Sequence, residues 1–261
     1  MHSAPGNVVA SPSWAKITAC LLLAVCCACG AGDRASRPQK VMVFAAASLT
    51  AAFGALEQAF EQREPECDVE LHFAGTPQLV LQLREGAPAD VFASADQVNM
   101  QRVVELGLVT GEPVAFASNR LTIVTANGNP KRVQSLADLA RDDLSVVLCG
   151  PEVPAGRYAR QALQKANLVV ASRSDEPSVK AVVAKVALGE VDAGIVYVTD
   201  AVAAGAQVQA VAIAEQHDVV ASYPIAVLGN GHAPALGQRF AAFVRSPDGQ
   251  ALLSRFGFGA P

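Results

Sequence analysis

The sequence has little that would mark an enzyme or a nucleic-acid binder. Aromatic residues make up 5% of its 261 positions, which argues against base- or carbohydrate-stacking surfaces. Basic residues number 20 against 24 acidic ones, a formal charge of −4. No Lys/Arg stripe is hidden in that average, so a polyanion-binding footprint is absent. The only histidines are His2, His72, His217 and His232, none with a carboxylate or cysteine at metal-ligand spacing. There is no G-x-S-x-G, P-loop or G-x-G-x-x-G, and no C-x-x-C beyond Cys26 and Cys29. No nucleophile–base pair emerges, and the chain reads as a non-enzyme without a cofactor. The hydrophobic fraction of 51% excludes intrinsic disorder, and 20 Gly with 15 Pro is ordinary usage.

Long hydrophobic runs are also missing. Ile17–Ala28 is apolar over about 12 residues, short of the ~20 a spanning helix needs but suited to a signal-peptide core. It follows Lys16 and precedes small residues, so residues 1–32 are expected to be an export signal. Cys29, between Ala28 and Gly30, resembles the lipidated cysteine of a bacterial lipoprotein box cleaved before that residue; soluble release is the alternative. The protein is accordingly expected outside the cytoplasm, in the periplasm, with a membrane link only through such an anchor. Of six cysteines, only Cys67 and Cys149 lie beyond this segment, and two separate buried thiols are expected.

What is present is an alternation of strand and helix. Val41–Ala47 is a continuous apolar run, as a fully buried parallel strand would be. A helix follows with Phe53, Leu56 and Phe60 on one face. Cys67–Phe73 alternates with period two. Thr76-Pro77 then opens a helix, with Thr76 as N-cap and Pro77 at the first helical position. Asp90–Ala93, Leu121–Val124, Leu144–Leu148, Gly194–Tyr197 and Pro224–Leu228 read as strands. Gln97–Leu106, Arg157–Ala166, Ser178–Leu188, Ala235–Val244 and Gly249–Phe256 read as helices. The pattern is α/β with mainly parallel sheets. About 229 residues suffice for two lobes, and no flexible linker parts them. Strands near 118–124 and 222–228 are expected to cross between lobe I (38–117 plus 224–261) and lobe II (118–223). The cleft between the lobes is the default site.

Hydroxyls and free backbone amides gather at the helix starts. Ser48 follows a buried strand, Thr76 opens the second helix, and Val153-Pro154-Ala155-Gly156 and Glu176-Pro177-Ser178-Val179 precede two more. Amides of a helix's first turn have no partner within the helix, so such junctions suit anions. Ordinary capping explains any one of them equally well.

Six segments at and around these junctions resemble, in order, the periplasmic molybdate-binding proteins of bacterial ABC importers, the ModA family. They are Phe44–Thr50, Gly86–Asp96, Pro151–Ala159, Gly194–Ala201, Tyr223–Val227 and Phe256–Phe258, and the match runs over about residues 40–258. The resemblance implies a type II periplasmic-binding-protein fold whose two lobes close on a tetrahedral oxyanion. It places hydroxyl donors at Ser48, Thr76 and Tyr197, and backbone N–H donors at Ala155 and Val179. It also implies capture of molybdate and tungstate as a monomer, and delivery to an importer's permease and its ATPase. Thr76 departs from the family's usual serine run, and Arg157 stands where an apolar residue is expected. A dianion that only accepts hydrogen bonds suits a site made only of donors.

Sulfate or another oxyanion is the alternative ligand. Iron(III) would call for adjacent tyrosines, and Tyr158, Tyr197 and Tyr223 are scattered in sequence. The sensing lobe of a transcription regulator would need a DNA-binding helix pair where this chain has an export signal. An exported enzyme would need the nucleophile–base pair that is missing.

Overall fold

A computed structural model describes residues 38–261. The expected export signal and the Cys29 lipidation site lie outside the described residues. The chain begins with β1 (Gln39–Ala46), a 3-10 turn at Ala47–Leu49 and α1 (Thr50–Arg63). Next come β2 (Cys67–Ala74), α2 (Thr76–Arg84), β3 (Val91–Ala93), α3 (Gln97–Glu105) and β4 (Val109–Asn119). The middle holds β5 (Leu121–Ala126), β6 (Val146–Cys149), α4 (Pro154–Lys165), β7 (Ser172–Glu176), α5 (Val179–Ala187), β8 (Ala193–Tyr197), α6 (Val198–Ala204) and β9 (Val208–Ala212). The chain ends with β10 (Ala221–Leu228), α7 (Pro234–Arg245) and α8 (Pro247–Arg255).

These strands form two five-stranded sheets, ordered β2-β1-β3-β10-β4 and β7-β6-β8-β5-β9. The two sheets repeat one plan. In the first, β1 runs parallel to β2 and β3, while β10 is antiparallel to β3 and β4. In the second, β6 runs parallel to β7 and β8, while β5 is antiparallel to β8 and β9. Each sheet is therefore mixed: four strands run one way and a single strand, β10 or β5, opposes them. The reason lies in the connections: helical crossovers return the chain in the same direction, whereas β5 and β10 arrive directly from the other sheet. The chain passes between sheets at Arg120, separating β4 from β5, and again just before Ala221. We refer to each sheet with its helices as a lobe.

Apolar strand faces build the core. Val41, Val43 and Ala45 of β1 are inaccessible, as are Ile195 and Val196 of β8. In lobe I, Phe53, Phe60, Phe116 and Phe240 meet edge to face, with centroids 5.3–6.1 Å apart, a geometry that adds to plain area burial. Cys67 and Cys149 sit in different sheets as free buried thiols, and burial pushes the Cys67 thiol up to about 11. No helix among the described residues is long and apolar enough to cross a membrane.

Candidate functional site

The carboxyl ends of the parallel strands in both sheets converge on one cavity, where ligands sit in open α/β sheets. Lobe I contributes the turn after β1 and the start of α2; lobe II contributes the starts of α4 and α5 and the end of β8. The cavity is small, about 10 Å³, about the room one water molecule needs. Ser48, Thr76, Ala155, Val179 and Tyr197 all line it. All five expected residues are thus brought to the same place.

Their local structure leaves their donors uncommitted. Thr76 is not the N-cap: Gly75 holds that position, Thr76 is the first residue of α2 and Pro77 the second. The Thr76 hydroxyl makes no capping bond and stays available at the cavity wall. Ser48 lies in the 3-10 turn and likewise caps nothing; its Oγ is 3.0 Å from the Tyr223 hydroxyl. The helix expected from Arg157 begins three residues earlier, at Pro154. Ala155 therefore sits inside a first turn, where amides lack helical partners, and its N–H faces no competing ladder. Val179 is the first residue of α5, behind a true cap: Ser178 Oγ accepts from Ala181 N–H at 3.3 Å.

Gly156 shows why α4 can start so close to the sheet. A Cβ there would lie 2.1 Å from the Gly150 carbonyl oxygen and 2.3 Å from that of Cys149. Only glycine lets the first turn pack on the end of β6, and that packing holds Ala155 at the cavity.

Tyr197 is the most telling residue. It ends β8 at 1% exposure, and its hydroxyl is buried without a hydrogen-bond partner among the described residues. Burying a hydroxyl unpaired costs about 1–3 kcal/mol, so an orphan lining a cavity fits a ligand that would accept from it. Burial also pushes the phenol well above its ordinary pKa, which keeps it a neutral donor. Among the described residues, no lysine or arginine lines the cavity. Attraction for an anion would come from hydroxyls and helix starts alone.

Contacts across the cleft hold the lobes together. Arg157 of α4 forms an ion pair with Asp96, the buried N-cap of α3, and donates to the Glu152 carbonyl at 3.1 Å. Its charge is therefore engaged by Asp96 beside the cavity. Arg102 reaches Glu152 at 2.8 Å on the exposed rim. Gly75 lies so near lobe II that a Cβ there would stand 2.1 Å from the Pro177 carbonyl oxygen.

Two parts of this arrangement escape sequence reasoning. The tyrosines are scattered along the chain, yet Tyr197 and Tyr223 meet edge to face with centroids 5.7 Å apart, because β8 ends where β10 begins. Asn119, the last residue of β4, donates to Thr199 Oγ1 at 2.8 Å and approaches the Tyr223 hydroxyl at 3.5 Å. Only the segment Tyr223–Val227 hinted at that position, and it carried no role for the phenol. Tyr223 brings no carboxylate with it, and no His/Cys/Asp/Glu cluster among the described residues could hold a metal ion.

Comparison with known proteins places this geometry. The family model of bacterial extracellular solute-binding proteins matches residues 41–259. The molybdate-binding protein ModA of Mycobacterium bovis is 41% identical over 252 residues, covering 94% of this chain and 97% of that protein. The chain belongs to the ModA family. Among solved structures, the periplasmic molybdate-binding protein of Azotobacter vinelandii superposes with a TM-score of 0.75 at 19% identity, over 85% of this chain and 99% of that one. The sulfate-binding protein SubI of Mycobacterium tuberculosis gives 0.73 at 21% identity, over 84% and 86%. At such identities these two show the fold alone. ModA-family membership and two mixed sheets flanked by helices agree on a two-lobed type II binding-protein architecture.

Proposed function

We propose that this chain captures molybdate, and tungstate with it, outside the cytoplasm and delivers it to the permease and ATPase of an ABC importer. Ser48 and Thr76 of lobe I, with Ala155, Val179 and Tyr197 of lobe II, are the residues we assign to the oxyanion. The observation that carries this reading is the makeup of the cavity: hydroxyls, one of them without a partner among the described residues, and first-turn amides converge on a space whose described walls hold no carboxylate and no cation. A fully ionised oxyanion accepts hydrogen bonds and donates none, so every contact can be favourable. Hydrogen bonds to a charged partner are worth roughly 1.5–3 kcal/mol each, and several in a closed cleft reach submicromolar affinity. Residues 38–117 with 224–261 and residues 118–223 would act as the two closing bodies, the protein working as a monomer.

The test is isothermal titration of the purified protein with molybdate, tungstate, sulfate and phosphate. One-to-one submicromolar binding of the first two alone supports the reading. Sulfate binding as tightly would mean that Thr76 and its neighbours have reshaped the cavity for a smaller anion. Silence from all four would overturn the ligand assignment.

A further inference from the structure

We propose that Tyr223 is a positioning residue that commits the Ser48 hydroxyl to donate into the cavity, and so makes the site reject anions that still carry a proton. The inference deepens the oxyanion reading above and rests on it.

The argument begins at Asn119, where β4 leaves lobe I. The backbone N–H of Arg120 donates to Asn119 Oδ1 at 2.9 Å. That contact fixes the amide's orientation: oxygen toward Arg120, nitrogen toward Thr199 and Tyr223. The nitrogen carries two hydrogens and no acceptor. One hydrogen goes to Thr199 Oγ1 at 2.8 Å; the other faces the Tyr223 oxygen at 3.5 Å. Tyr223 is fully buried, and besides Asn119 its hydroxyl bonds only to Ser48 Oγ, 3.0 Å away, among the described residues. An amide nitrogen cannot accept, so the phenol hydrogen points to Ser48 Oγ. Burial keeps that phenol protonated at any ordinary pH, with its pKa far above the usual tyrosine range.

Ser48 Oγ therefore receives a hydrogen from behind. Its own hydrogen has no acceptor among the described residues, and Ser48 lines the cavity. The chain Asn119 amide, Tyr223 hydroxyl, Ser48 hydroxyl is polarised in one direction, and each link strengthens the next. An oxyanion oxygen at the end of it accepts. A ligand presenting O–H at that position, such as hydrogen phosphate, meets a hydrogen where it needs a lone pair. Releasing the Ser48 hydroxyl to turn requires breaking the bond from Tyr223.

The experiment compares Tyr223→Phe with the wild type by calorimetry, titrating molybdate and then phosphate in competition at pH 8. In the variant, molybdate should bind about three- to tenfold more weakly. The ratio of the phosphate to the molybdate dissociation constant should fall by at least threefold. That ratio is the decisive reading, because a merely loosened site weakens both anions alike. An unchanged molybdate affinity, or equal loss for both anions, would overturn the proposal. Thermal melting checks that the fold survives. Should Tyr223→Phe fail to fold, Asn119→Asp is the second test. Its carboxylate draws the phenol hydrogen away from Ser48, and the ratio should fall again; an unchanged ratio there overturns the proposal. If the wild type binds sulfate and not molybdate, the same comparison is made with sulfate against phosphate, so failure of the ligand assignment and failure of the relay are read separately.

Discussion

Gly75→Ala isolates lobe closure from folding. Gly75 has φ −58° and ψ 136°, a conformation alanine adopts freely, so lobe I accepts the change at no backbone cost. Within the unfolded chain the substitution removes freedom, which stabilises by about 0.4–1 kcal/mol. The new methyl meets lobe II instead. Its carbon would stand 2.1 Å from the Pro177 carbonyl oxygen, where ordinary contact begins near 3.4 Å. Backbone carbonyls do not swing aside as side-chain tips do, so the lobes must part by about 1 Å or more. A bond of about 2.9 Å stretched by that amount exceeds the hydrogen-bond limit. Lobe II is assigned three donors to the anion, at Ala155, Val179 and Tyr197. Losing two of them at roughly 1.5–3 kcal/mol each weakens binding by about 10²- to 10⁴-fold. Calorimetry with molybdate, paired with thermal melting, separates the two effects. The ligand-free variant should melt within a few degrees of the wild type, while the shift on adding molybdate should vanish. A molybdate dissociation constant within threefold of wild type would refute the reasoning, since the lobes would then close around the methyl.

Other changes probe single groups. Tyr197→Phe removes a hydroxyl that has no partner among the described residues; it should weaken molybdate binding about 10- to 100-fold while the ligand-free melting temperature holds or rises. Ser48→Ala should lower affinity about tenfold or more at a stability cost near 1 kcal/mol, since Ser48 caps no helix and bonds only to Tyr223; a larger stability loss in urea titration would contradict that placement. Asp200, buried at the start of α6 and accepting from Tyr197 N–H at 3.1 Å, has its carboxyl pushed up to about 7 by burial. Its folded pKa lies above the unfolded value, so the folded state holds the extra proton; stability falls as pH rises from about 4 to about 7, by up to about 4 kcal/mol. Urea titrations at pH 5 and pH 8 should show that fall in the wild type and a smaller one in Asp200→Asn; equal slopes would exclude Asp200 as the source.

The lobe plan and the cavity were legible in sequence to different depths. Buried strands such as Val41–Ala46 announce themselves as unbroken apolar runs. The edge strands of lobe II do not: β7 reads Ser-Arg-Ser-Asp-Glu with only Glu176 buried, and β9 keeps Gln209, Ala210 and Ala212 exposed, whereas the edge strand β2 shows its alternation. Backbone pairing on one side is enough to hold such a strand, so its side chains need carry little hydrophobic periodicity. Strand direction was equally hidden, because it depends on which lobe the chain arrives from. At the site, the resemblance to the ModA family pointed to Ser48, Thr76, Ala155, Val179 and Tyr197, and the fold brings these five residues to one cavity. What they could not supply was the division of labour: that Gly75 takes the capping position and frees Thr76, that Arg157 is neutralised by Asp96 across the cleft, and that Tyr223 stands behind Ser48. Each of these is a contact between segments distant in sequence, formed only when the two sheets meet.

The seclusion of Tyr197 has a kinetic consequence. A species held at that hydroxyl would sit between residues of both lobes, so its release would be eased by their separation. Residence time is then set by how often the lobes separate, and not by how quickly individual hydrogen bonds break. The acidic net charge adds no attraction for an approaching dianion, so on the oxyanion reading tight binding would come from slow release. Substitutions along the Arg157–Asp96 contact would therefore shorten the lifetime of the loaded protein without altering a residue that lines the cavity.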